Sequence, residues 1–195
     1  MRLLVILNLL ITILVFISCD SLSDVIPETG SPDPLITFED ADAQVYDLMT
    51  PFYHIKVSIR GDVGGNVENI LNKLDNKAAS FLDCQFGDPN VGFADVEIES
   101  GETIPPLSEH RVFVVPLTFK CEGMTTDTCA GVYYSGTGGD LTIISKRTIG
   151  QCEDFSFFKH ELAHRYGMEA DHSNRMDFEP CKDAPGCELP IGIGG

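Results

Sequence analysis

His160-Glu161-Leu162-Ala163-His164-Arg165-Tyr166-Gly167, entered through Asp154-Phe155-Ser156-Phe157-Phe158-Lys159, is the stretch that decides how the rest of the chain is read. It has the form H-E-x-x-H-x-x-G. Residues four apart share one face of a helix, so His160 and His164 present two imidazoles to one point. Glu161 projects from the same turn and suits a general base acting on a water at a metal held there. Zinc fits this pattern, because a catalytic zinc takes three protein ligands and keeps one position open. Gly167 then lets the chain leave the helix, as a glycine just past the last turn commonly does.

Two imidazoles leave a third ligand to be found. Beyond Gly167 the chain runs Met168-Glu169-Ala170-Asp171-His172-Ser173-Asn174-Arg175-Met176-Asp177-Phe178. The H-E-x-x-H-x-x-G string, followed closely by a His or Asp and then a Met, resembles the metzincin clan of zinc metallopeptidases. That resemblance implies a zincin-like α/β (α+β) fold. Its parts would be a mixed twisted sheet of four to five strands, a packing helix, an active-site helix and a small disulfide-stapled C-terminal part. It also implies Zn2+ as cofactor, Glu161 as the catalytic residue, and hydrolysis of peptide bonds in protein or peptide substrates. In the clan the third ligand stands three residues after the glycine, and here that position is Ala170. The sequence departs from the pattern there. His172 is the expected third ligand, because Asp171-His172-Ser173 looks like the clan's histidine-then-serine stretch displaced by two residues. Asp171 is the alternative, and whichever is not a ligand can orient one from behind. Met176 is the candidate for the clan's methionine turn. A gluzincin arrangement would instead draw Glu179 or Glu188 from a second helix, which Pro180, Pro185, Gly186 and Pro190 oppose. The clan lays an extended peptide along an edge strand above the zinc helix. Here that strand would flank Ser135 to Gly139.

Two other readings compete. One is a surface lipoprotein that holds the metal without turnover and serves binding or adhesion. The other is a structural zinc with four protein ligands, Asp171 and His172 both contributing. Glu161 favours the enzyme, since a pure binding site needs no general base.

The remainder of the chain is consistent with an exported hydrolase. Met1-Arg2 followed by the apolar run Leu3 to Ser18 reads as a signal peptide over residues 1–19, too short to span a bilayer comfortably. It closes on Phe16-Ile17-Ser18-Cys19, which resembles the lipobox of bacterial lipoproteins. The expectation is a cell-envelope lipoprotein, or an extracellular or periplasmic protein, with membrane contact only through a lipid on Cys19. Of seven cysteines, six then remain: Cys84, Cys121, Cys129, Cys152, Cys181 and Cys187. An even set in an exported chain points to disulfides. Proximity in sequence favours Cys121–Cys129 and Cys181–Cys187, leaving Cys84–Cys152. The net charge of −17 argues against nucleic acid or anionic membrane as partners, and a monomer is expected.

Residues 20–50, rich in Pro and acidic side chains, read as a tether or surface arm, and residues 51–195 as the peptidase domain. Tyr53 to Arg60 alternates as a half-buried strand. Asn66 caps a helix in which Val67, Ile70, Leu71, Leu74, Ala78, Phe81 and Leu82 line one face. Gly92 to Glu99 is expected as a second strand and Arg111 to Phe119 as a third, with Pro116 marking a bulge or an edge. Ala130 to Tyr134 and Asp140 to Ser145 are two further strands. The glycines between them are no phosphate loop, because no G-K-[ST] follows.

Overall fold

Val112 to Val115 is apolar on both of its faces, the pattern of a strand covered above and below. That is its position in the computed structural model, which describes residues 34–122, 129–136, 140–146, 154–179 and 181–182. The elements in order are β1 (Leu35–Ile36), α1 (Phe38–Asp42), β2 (Leu48–Met49), β3 (Lys56–Ile59), α2 (Val67–Phe86), β4 (Val96–Glu97) and β5 (Thr103–Ile104). Then follow β6 (Arg111–Val115), β7 (Lys120–Cys121), β8 (Gly131–Tyr134), β9 (Leu141–Ser145) and α3 (Phe158–Arg165). The molecule is mixed α/β. Its main sheet has five strands in the order β2-β3-β6-β9-β8. The central strands β3, β6 and β9 run parallel, while both edges, β2 and β8, pair antiparallel.

Helices α2 and α3 cover the same face. Val57, Val112, Val114 and Ile144 of the sheet share one core with Ile70, Leu74, Ala78, Phe81 and Leu82 of α2 and with Phe158, Leu162 and Ala163 of α3. Each fully buried Leu, Ile or Phe there contributes roughly 1.5–3 kcal/mol. Phe113, Val115, Leu141 and Ile143 point to the other face, under Ile36, Ala41, Phe119 and Cys121. The predicted helix begins as expected, its Asn66 side chain accepting from the Asn69 N–H, and ends at Gly87 in the left-handed conformation. Val67 is the exception on the apolar face: it lies in the first turn and is exposed. Among the described residues no helix is long and apolar enough to cross a membrane.

Three expectations change. Residues 34–50 are woven into the body: β2 is an edge of the main sheet and β1 pairs with β7. In the second, the Gly92–Glu99 strand shrinks to β4, paired among the described residues with β5 alone. Pro89 starts a 3-10 turn through Phe93, so the chain is helical where an alternating strand was expected. In the third, β6 is a central strand and stops at Val115. Pro116 has no N–H for the ladder and ends the strand instead of marking an edge.

The disulfides need a correction as well. Cys121–Cys129 forms as predicted, beside the Phe119–Cys129 backbone bridge. Cys84, however, joins Cys181, with Cα atoms 5.5 Å apart, so neither Cys84–Cys152 nor Cys181–Cys187 holds. The last turn of α2 lies against the C-terminal segment. There the Gln85 side-chain amide donates to the Asp177 carbonyl, and Phe178 and Cys181 enter the helix-side core. Separation in sequence does not measure that distance. Cys152 and Cys187 lie outside the described residues, as do the signal peptide with Cys19, Thr137 to Gly139, and Glu188.

Candidate metal centre

The helix that carries the histidines is short, and its end is well defined. The Gly167 N–H donates to the His164 carbonyl and the Met168 N–H to the Ala163 carbonyl, at 3.2 and 2.8 Å. With Gly167 at a φ of 108°, this is the Schellman termination that a glycine in this position favours. The turn also brings the Met168 carbonyl to 3.0 Å from His164 Nδ1. A carbonyl can only accept, so Nδ1 carries the proton and Nε2 is left with its lone pair.

From Gly167 the chain folds back as a clipped loop. Asn174 holds both sides of it: its amide donates to the Gly167 carbonyl and its oxygen accepts from the Glu169 N–H. Inside the clip the His172 N–H closes a turn onto the Glu169 carbonyl at 2.8 Å. That turn takes up the two residues between position 170, where the resemblance places a third ligand, and His172. His172 sits at a φ of 58°, a left-handed conformation that costs a non-glycine residue on the order of 1 kcal/mol and is held by its surroundings.

His160, His164 and His172 are thereby brought together, their ligand-capable atoms all within 4.8 Å of one another. His160 Nε2 and His172 Nε2 are 3.1 Å apart. Two nitrogens on one tetrahedral ion with bonds of ~2.0–2.1 Å would stand ~3.3 Å apart, so this spacing is that of a shared ligand point. Burial, followed by the like charge of His164 and His172, pushes His160 down to about 3. Burial lowers His164 too, against the opposing pull of the Met168 carbonyl. Neutral imidazoles are the form that binds a metal. Among the described residues no fourth His, Cys, Asp or Glu joins the group. Asp171 is exposed, and its carboxylate accepts from the Ser173 N–H. Glu179 is also outside the group, ion-paired with Lys182. The donor set therefore fits zinc with one position left open.

Glu161 is buried and faces the sheet edge. Burial pushes its carboxyl up to about 8, partly offset by a hydrogen bond from the Tyr133 backbone N–H. Space for it comes from Gly131, where an added Cβ would lie 2.5 Å from Glu161 Oε1. One turn on, Arg165 is buried and binds Asp140, and its Nη2 donates to the Pro105 carbonyl. Asp140 also meets His110 Nδ1 at 2.8 Å, and His110 Nε2 lies 3.1 Å from the Thr142 hydroxyl. Burial raises Asp140, but His110 and Arg165 together hold it well below the usual carboxylate range. His110 is fully buried and stays neutral, its proton affinity lowered by desolvation.

Met176 does not underlie the histidines. It is 72% exposed on a 3-10 turn, and the buried methionine beside the site is Met168. Gly131, Arg165 and Asp140 were not singled out from sequence. Only the position of Arg165, four residues after Glu161 on the same helical face, offered a signal. Comparison of the chain with protein-family models, with curated proteins and with solved structures gives no match.

Proposed function

We propose that this chain is a zinc-dependent endopeptidase of the metzincin type, exported and either free or lipid-anchored through Cys19. The reading rests above all on one observation: three imidazoles converge without a fourth protein ligand among the described residues, beside the buried Glu161 side chain. The sheet supports it. Three parallel strands with an antiparallel edge strand beside the histidine helix suit a zincin-like arrangement. The two disulfides support export, because such bonds persist in oxidising compartments.

Zinc bound by His160, His164 and His172 would supply Lewis acidity toward a water and a substrate carbonyl. The protein groups do the rest. Glu161 takes the proton of the attacking water and passes it to the departing amine. The Tyr133 N–H fixes the direction of that carboxylate. The Met168 carbonyl fixes the tautomer and plane of His164. The substrate backbone pairs with the free edge of β8. Ser145 donates to the Ala130 carbonyl, so residues 130, 132 and 134 exchange bonds with β9; the Gly131 backbone and the Tyr133 carbonyl turn outward to the substrate, while the Tyr133 N–H is held by Glu161.

The test is zinc content and cleavage of a broad peptide mixture by the chain from about Asp20, side by side with Glu161→Ala. The expected result is one zinc in each protein and cleavage by the wild type alone. Zinc in both with cleavage by neither would overturn the enzyme reading in favour of a silent metal-binding protein.

A further inference from the structure

Beyond Gly131, the edge strand leads into a cavity of about 340 Å³. It lies between Tyr133 and Ser135 at the end of β8 and the segment Glu102 to Glu109, with Ile104 and Pro105 in its wall. Its floor is pinned, because Asp140 and the Pro105 carbonyl are both held by the buried Arg165. The Tyr133 ring is fixed by contact with Asp140 and stands 6.2 Å from the His110 ring. Arg165 offsets the charge of Asp140, whereas Glu102 and Glu109 make no ion pair with any described residue. The cavity thus offers an aromatic wall and, from the exposed residues Glu102 and Glu109, two carboxylates without an ion-pair partner among the described residues.

We propose that this cavity is the specificity pocket of the peptidase site and takes a basic side chain, Lys or Arg, close to the scissile bond. The proposal rests on the endopeptidase reading. Tyr133 links the two sites: its backbone N–H holds Glu161 and its side chain lines the pocket. Two residues of strand advance ~6.6 Å, so a peptide paired with β8 and poised over Glu161 brings a side chain one or two residues away to the cavity. A guanidinium or ammonium there meets the Tyr133 ring face and the Glu102 and Glu109 carboxylates, while its methylene stem lies along Ile104 and Pro105. A neutral side chain of equal length gains only the last of these contacts.

The experiment separates binding from turnover. Zinc-loaded Glu161→Ala protein is titrated by calorimetry with blocked hexapeptides in which Arg, or its neutral isostere citrulline, is stepped through each position. The titrations are repeated in a background that also carries Glu102→Gln and Glu109→Gln. The expected result is a preference of at least about tenfold for Arg at one position, falling to near one in the combined variant. No preference at any position would overturn the pocket. So would a preference that survives Glu102→Gln/Glu109→Gln, which would trace to the overall negative charge. The wild-type protein is scored for cleavage of the same peptides in parallel. Absence of cleavage with the Arg preference intact would sink the endopeptidase reading and leave the pocket standing as a binding site.

Discussion

Gly131→Ala is the substitution that most sharply tests how the site is built. A Cβ at this position would lie 2.5 Å from Glu161 Oε1 and 2.9 Å from both Cδ and Cγ of the same side chain. An ordinary carbon–oxygen contact is ~3.5 Å, so the carboxylate must retreat by roughly 1 Å. Glu161 is only 4% exposed, and its retreat breaks the alignment with the Tyr133 N–H. Misplacing a reacting group by ~1 Å costs about 100-fold in rate, or about 2.7 kcal/mol of transition-state stabilisation. The three histidines are untouched, so zinc content and affinity stay at the wild-type level. The assay is kcat and KM on a quenched fluorescent peptide, with zinc measured on the same samples. The loss is expected in kcat. Near wild-type kcat in Gly131→Ala would refute this account of Glu161.

Other consequences can be measured on the same protein. His172→Ala is expected to weaken zinc binding by at least about 100-fold in a competition titration, since loss of an outer partner alone costs 10–100-fold. Asp171→Ala should change it by less than about threefold. Replacing Cys84 and Cys181 by Ser opens a loop spanning 97 residues and should cost about 2–5 kcal/mol in urea unfolding, with no change for zinc-saturated wild type kept oxidised. In metal-free protein, stability should be full above pH ~6.5 and fall as the pH drops below it, by up to about 1.4 kcal/mol per pH unit for each buried histidine. The sign follows from His110, His160 and His164, all with lowered proton affinity in the fold: the unfolded chain binds the extra protons. His110→Asn should flatten that slope, and an unchanged slope would remove His110 from the argument.

Much of the helix-side architecture was legible because its signals are local. The Asn66 cap, the apolar face from Ile70 to Leu82, and the Gly167 termination each lie within one or two turns of the residues they govern. The i, i+4 spacing placed His160 and His164 for the same reason. What escaped was set by long-range packing. Cys84 finds Cys181 because α2 ends beside the C-terminal segment, a fact of tertiary structure and not of sequence spacing. Pro89 outweighed the alternation of residues 92–99 by starting a 3-10 turn just before it. Gly131 looked like an ordinary strand glycine, and its role emerges only when α3 lies across β8. Met176 matched a family pattern by order along the chain, yet the clipped loop turns it to solvent.

The site joins two separately anchored pieces, and their anchoring explains why a chain with an eight-residue histidine helix can hold it. His160, Glu161 and His164 ride on α3, which Arg165 ties to Asp140 at the start of β9. His172 rides on a loop whose outer end is tied back to α2 through Cys84–Cys181 and through Gln85 to Asp177. Bringing the third imidazole up to the other two requires His172 to hold a left-handed backbone, a cost carried partly by the Asn174 clip and partly by the disulfide. A ligand that binds only the assembled triad stabilises the closed arrangement by its full differential affinity. By the same linkage, whatever restricts the loop beforehand raises metal affinity, and the metal in turn protects the loop. A metal held by the three histidines would therefore be coupled to the disulfide through the loop that carries His172.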